Sequence, residues 1–145
     1  MNNETYGNDS VLNLIKIDSV YKRIKNSSHN KEDLLKTINS LVEMATVSQN
    51  EGLMSLEKYL YREPVHLFIK KAIFYITNMD GRGLKPQELY DTLSSYILIS
   101  DIEGHELLNH LIMMQGMILI NSGTVAIKLR EILSMYIGVL ELQLN

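Results

Sequence analysis

Cysteine and tryptophan are both absent from the sequence. The lack of cysteine excludes disulfides, thiolate metal sites and thiol nucleophiles, and it fits a cytoplasmic protein. Proline occurs only at Pro64 and Pro86, so long stretches meet no obstacle to helix formation. Positive charge is scarce as well, with a net charge of −3 and an isoelectric point of about 5.8. No basic patch is expected, and nucleic acid is not an expected partner. Long hydrophobic runs are also missing. The longest uncharged, mainly apolar run is Leu111–Ile120, bracketed by His110 and Asn121. It reaches about half of the roughly 20 residues that a membrane-spanning helix needs. The N-terminal MNNETYGND has no basic region followed by an apolar run, which argues against a signal peptide.

What the sequence does contain is helical periodicity. Apolar residues make up 46% of the 145 positions, enough for one domain with a real core. The expectation is an all-α fold, a bundle of five or six helices around a long central helix. Residues 1–9 read as a disordered N-terminus and 10–145 as a single helical domain.

The expected centre is the stretch from Leu34 to Leu60. Leu34, Ile38, Leu41, Ala45, Ser48, Gly52, Leu56 and Tyr59 recur at spacings of three and four, so they form one face of an amphipathic helix. Asn30 caps it, Asp33 suits its first turn, and it is predicted to continue to Arg62. Ala45, Ser48 and Gly52 are small, so a neighbouring helix can approach there. Gly52 costs about 1 kcal/mol against alanine in a helix interior, and close packing is the reason read for it. The back face carries Val47 and Met54, which suit either internal packing or a partner.

The other elements follow in order. Asp9 or Ser10 caps a first helix to about Asn26, with Leu12, Ile15, Ser19 and Ile24 inward, although Leu14 and Lys16 also suit a strand. Pro64 marks a break and opens a helix to Asn78, with Val65, Phe68, Ile69, Ala72, Ile73 and Ile76 as its buried stripe. Asp80-Gly81-Arg82-Gly83 reads as a turn. Pro86 opens the next helix, with Leu89, Leu93, Tyr96, Ile97 and Ser100 inward. Gly104 either bends a helix or lies within it. Leu107–Ile120 is apolar on nearly every side and reads as the most buried helix. Gly123 suits its C′ position, and a last helix spans about Thr124 to Leu142.

Candidate chemistry is thin. His105, Glu106 and His110 invite a metal reading, but the histidines stand five apart rather than the four of the zinc-protease spacing and do not share a face. Glu106 shares a face with His110, and Asp101 with His105. Gly81-Arg82-Gly83 lacks the full phosphate-loop pattern. Met113, Met114 and Met117 suit core packing or an adaptable groove. No catalytic residue, cofactor or metal site is assigned. A small metal- or ligand-binding helical enzyme using His105, Glu106 and His110 stands as the competing reading.

Two segments carry a resemblance. One is Glu51-Gly52-Leu53-Met54-Ser55-Leu56-Glu57, preceded by LVEMATVSQN and followed by Pro64, a helix and Asp80-Gly81. The other is Gln115-Gly116-Met117-Ile118-Leu119-Ile120-Asn121-Ser122-Gly123, followed by Lys128-Leu129. In order and spacing they resemble the cytoplasmic parts of the flagellar stator protein MotA family. Its transmembrane helices have no counterpart here, and Thr124-Val125 replaces the expected Asn-Pro. The resemblance implies a cytoplasmic, non-enzymatic protein-binding module with flagellar rotor or stator partners, among them the rotor switch protein FliG. In the family, charged residues on either side of the glycine make that contact. Glu57 matches the acidic position, and the basic position falls on uncharged Gln49. The implied partner-binding residues are Gln49, Leu53 and Glu57 on one helix flank, with Glu51 nearby.

Overall fold

The computed structural model describes residues 30–78 and 85–144. The helix expected at 9–26, the residues before it, the linker after it and the turn at 80–83 lie outside the described residues. Among the described residues there are five α-helices, one 3-10 helix and no strand, which is an all-α bundle as the periodicity predicts. None of these helices is long and apolar enough to cross a membrane.

Helix α1 spans Lys31–Glu51. The Asn30 side chain accepts a hydrogen bond from the Asp33 N–H at 3.2 Å, supplying one of the acceptors that a helix start lacks. Leu34, Ile38, Leu41 and Ala45 of the predicted face are buried, joined by Met44, which the spacing did not place there, while Ser48 is half-buried. The helix does not continue to Arg62. At Gly52 the backbone takes φ 90° and ψ 160°, a region essentially closed to residues with a Cβ. The Gly52 N–H closes the helix on the Ser48 carbonyl, and the chain re-enters a 3-10 helix over Leu53–Tyr61. Three residues per turn stack Leu53, Leu56 and Tyr59 on one side; Leu56 and Tyr59 are buried and Leu53 is half-buried. Close helix packing is therefore not the role of Gly52. Nothing lies within 4 Å of where its Cβ would be.

Side-chain ties fold the 3-10 helix back towards α1. The Tyr59 hydroxyl donates to Glu43 at 3.3 Å, and Arg62 reaches the same carboxylate at 3.4 Å. Burial, and then the Glu43 charge, push the Tyr59 phenol above its usual range. Helix α2, Leu67–Thr77, starts three residues later than Pro64 suggested, after a cis Glu63–Pro64 peptide. Its buried side is Phe68, Ile69, Ala72, Ile73 and Ile76, as expected. Helix α3, Pro86–Ile99, has proline in its first turn and buries Leu89, Leu93 and Ile97; Tyr96, expected inward, is exposed.

The central helix is α4, Gly104–Asn121, in place of the 34–60 stretch. Eleven of its 18 residues are buried, against five of 21 in α1. It packs against each of the other four α-helices. Gly104 stands at its start with φ 60°. Its end is a Schellman motif: Thr124 N–H bonds Leu119 C=O and Gly123 N–H bonds Ile120 C=O, with Gly123 at φ 82°. Met113 and Met117 are fully buried and Met114 nearly so, so the methionines are core. The close helix approach lies at Gly116, where an added Cβ would stand 2.6 Å from Leu41 Cδ1. Helix α5, Ala126–Leu144, closes the bundle against α1 and α4 through Leu129, Leu133 and Ile137.

Candidate functional site

Helix α2 has the sequence LFIKKAIFYIT, apolar on both sides. A helix of that kind is normally covered all round. Here one side packs on α4, α3 and the 3-10 helix, while Leu67, Phe74 and Tyr75 stay 62%, 53% and 42% exposed. With Leu60 and with Tyr96 of α3 they line a groove of about 340 Å³. Its rim is basic. The Lys71 ammonium stands 4.4 Å from the centre of the Tyr96 ring, a cation–π distance. Lys70 bonds Glu63 and holds that carboxyl below its usual range. Phe68 forms the floor, its ring 5.6 Å from Tyr96 on one side and 5.0 Å from His110 on the other.

His110 belongs to a second grouping. His66, Glu106 and His110 each offer a donor atom, and the three atoms lie within 4.8 Å of one another. Glu106 and His110 stand one turn apart on α4, and His66 arrives from the residue that caps α2. His66 Nδ1 accepts the Phe68 N–H at 3.1 Å. His110 is buried, its Nδ1 is 2.7 Å from the Glu106 carbonyl oxygen, and that ring nitrogen therefore donates. Partial desolvation by its neighbours, and then His110, push the otherwise exposed His66 imidazole below its usual range.

The histidine set read from sequence is only partly assembled. His105 does not join Glu106 and His110. Its Nδ1 accepts the Asn30 N–H at 3.3 Å and its Nε2 lies 2.7 Å from Asp33. The donor on Nδ1 fixes the proton on Nε2, so this histidine ties the start of α1 to α4. His66, far upstream in sequence, takes the place expected for it.

The residues implied by the family resemblance are split by the break at Gly52. Gln49 and Glu51 end α1, whereas Leu53 and Glu57 belong to the 3-10 helix, so they do not share one straight helix flank. Gln49, Glu51 and Glu57 are exposed, and Leu53 packs against the core. Glu51 already meets Lys58 at 3.0 Å. Of the back-face pair, Val47 packs against the core and Met54 is exposed. Compared with known protein families, with curated proteins and with solved structures, the chain has no match.

Proposed function

We propose that the chain is a non-enzymatic, cytoplasmic protein-binding module. Its α2–α3 groove receives an amphipathic helix from a partner protein, with apolar anchors flanked by acidic residues. The observation that carries this reading is the side of α2 that no described residue covers, where Leu67, Phe74 and Tyr75 stay exposed beside Tyr96 of α3. Two adjacent helices with an apolar cleft between them suit helix-in-groove recognition. Aromatic anchors supply most of the energy at such surfaces. Lys71 on the rim favours an acidic flank, which speeds encounter and sets orientation more than it adds affinity.

The finer identification, a flagellar partner such as FliG or a stator component, rests on the order of the motifs at Glu51–Glu57 and Gln115–Gly123. It uses a different surface, at Gln49, Glu51, Leu53 and Glu57, so one experiment separates the two. A photo-crosslinking amino acid replaces Phe74, or separately Gln49, in the full chain inside its own cells. The crosslinked peptide is then sequenced. Capture from position 74 of an acidic amphipathic segment of another protein supports the groove. Capture of a second copy alone makes the groove a self-association face and overturns the proposed partner. Capture of FliG from position 49, with none from 74, transfers the function to the end of α1.

A further inference from the structure

We propose that His66, Glu106 and His110 form a three-ligand site for a divalent transition metal of the zinc class, and that metal binding competes with the capping of α2. Two imidazoles and one carboxylate suit Zn²⁺ and its neighbours rather than Mg²⁺ or Ca²⁺, which prefer oxygen-only sets. The arrangement has a fixed ligand and two adjustable ones. His110 is buried and donates Nδ1–H to the Glu106 carbonyl at 2.7 Å. That bond leaves the lone pair on Nε2, the orientation that metal-binding histidines commonly adopt. The Glu106 side chain is 60% exposed and moves at little cost. His66 sits at the end of an element, also exposed.

One donor atom from each residue lies within 4.8 Å of the others; the Glu106 carboxylate stands 3.8 Å from His110 Nδ1, so it swings towards Nε2 to share an ion there. A tetrahedral ion with bonds of about 2.0–2.1 Å brings its ligands to about 3.3 Å apart, so the exposed Glu106 and His66 side chains close in on His110 Nε2. Three protein ligands leave the fourth position open to water or to an outside donor.

His66 supplies the coupling. Its Nδ1 accepts the Phe68 N–H at 3.1 Å, so the neutral ring carries its proton on Nε2. A neutral imidazole has a single lone-pair nitrogen. If Nε2 takes the metal, the proton moves to Nδ1 and the Phe68 N–H loses its acceptor. If Nδ1 takes the metal, the same bond is lost directly. Either way, metal binding uncaps α2, the helix whose Leu67, Phe74 and Tyr75 are exposed on its outer side.

The test uses the full chain and Co²⁺, with Zn²⁺ as competitor. One equivalent of Co²⁺ is expected to give the intense visible bands of a low-coordinate ion, and Zn²⁺ is expected to displace it. Glu106→Gln and His66→Asn are fold-safe variants. The first keeps the backbone carbonyl that His110 uses, and asparagine is itself a good cap. Each is expected to lower affinity by at least about tenfold, while His105→Gln leaves it unchanged. Hydrogen exchange at the Phe68 amide is expected to quicken when metal binds. Absence of binding at millimolar metal overturns the site. So does binding that survives Glu106→Gln and His66→Asn, or that disappears with His105→Gln. Binding that leaves the Phe68 amide protected overturns the assignment of His66 as a ligand.

Discussion

Replacing Gly116 with alanine tests how α1 and α4 meet. A Cβ built there stands 2.6 Å from Leu41 Cδ1, 3.0 Å from Cδ2 and 3.2 Å from Cγ. Leu41 has no exposed surface, so it cannot swing into solvent to make room. Overpacking of this kind costs about 1–3 kcal/mol. Against it stands the helix preference for alanine over glycine, about 1 kcal/mol in an interior position. The net expectation is a loss of about 0–2 kcal/mol. The sign depends on the neighbour, and a double-mutant cycle exposes it. Leu41→Ala alone leaves a cavity and costs about 2–5 kcal/mol. In that background the new methyl meets no clash, and Gly116→Ala becomes a gain of about 1 kcal/mol. The two sites should therefore couple by about 1–3 kcal/mol. Urea denaturation of the four proteins, with slopes compared as well as midpoints, measures the coupling. A gain of about 1 kcal/mol from Gly116→Ala in both backgrounds refutes the close crossing of α1 and α4.

At Gly52 the expectation is different, because the backbone is strained for any other residue while the space around it is open. Gly52→Ala and Gly52→Leu should both destabilise, by about 1–3 kcal/mol and by nearly equal amounts; chemical denaturation of both decides, and a much larger loss for leucine contradicts the open site. Thr37→Val removes the hydroxyl that donates to the buried Asn109 Oδ1 at 2.6 Å, with an expected loss of about 1–3 kcal/mol; an unchanged thermal midpoint contradicts it. Stability should also fall as acid is added. His66 is held below its ordinary value of 6.5 by partial desolvation and then by His110, with Glu106 and Asp33 opposing. A depressed folded pKa means that the unfolded chain takes up the proton first. The contribution is full above 6.5 and is lost as pH falls through the folded value. Protonation also puts a proton on Nδ1, where the Phe68 N–H now bonds. Melting curves between about pH 7.5 and about pH 5.5 should show a smaller acid loss for His66→Asn than for wild type; an identical loss refutes the role of His66.

Much of the bundle was legible because its helices obey one period and end on recognisable residues. The Phe68–Ile76 stripe, the start at Pro86, the buried Leu107–Ile120 helix and the C′ role of Gly123 needed only spacing and cap chemistry. The break at Gly52 was missed because spacings of three and four both fit an α-helix. The discriminating signal lay in Leu53, Leu56 and Tyr59, two spacings of three in succession after a glycine, which suit a 3-10 helix better. Gly52 was read for close packing, whereas Gly116 is where helices touch, and no sequence pattern tells a strained glycine from a crowded one. The histidine cluster was half legible. Glu106 and His110 share a face by their spacing, but His66 joins them only through the packing of α2 on α4. The groove is legible in LFIKKAIFYIT, which has two apolar sides, but periodicity alone does not tell which of them the bundle leaves open.

Binding of an acidic amphipathic helix to the exposed side of α2 is open to direct test. The most direct measurement is the affinity of the segment crosslinked at position 74, made as a labelled peptide and titrated by fluorescence anisotropy. Wild type and Phe74→Asp are compared, with circular dichroism confirming that both are folded. Loss of an aromatic anchor typically costs about 2 kcal/mol or more, so the expected weakening is about thirtyfold or greater. Equal affinity for the two folded proteins would contradict it.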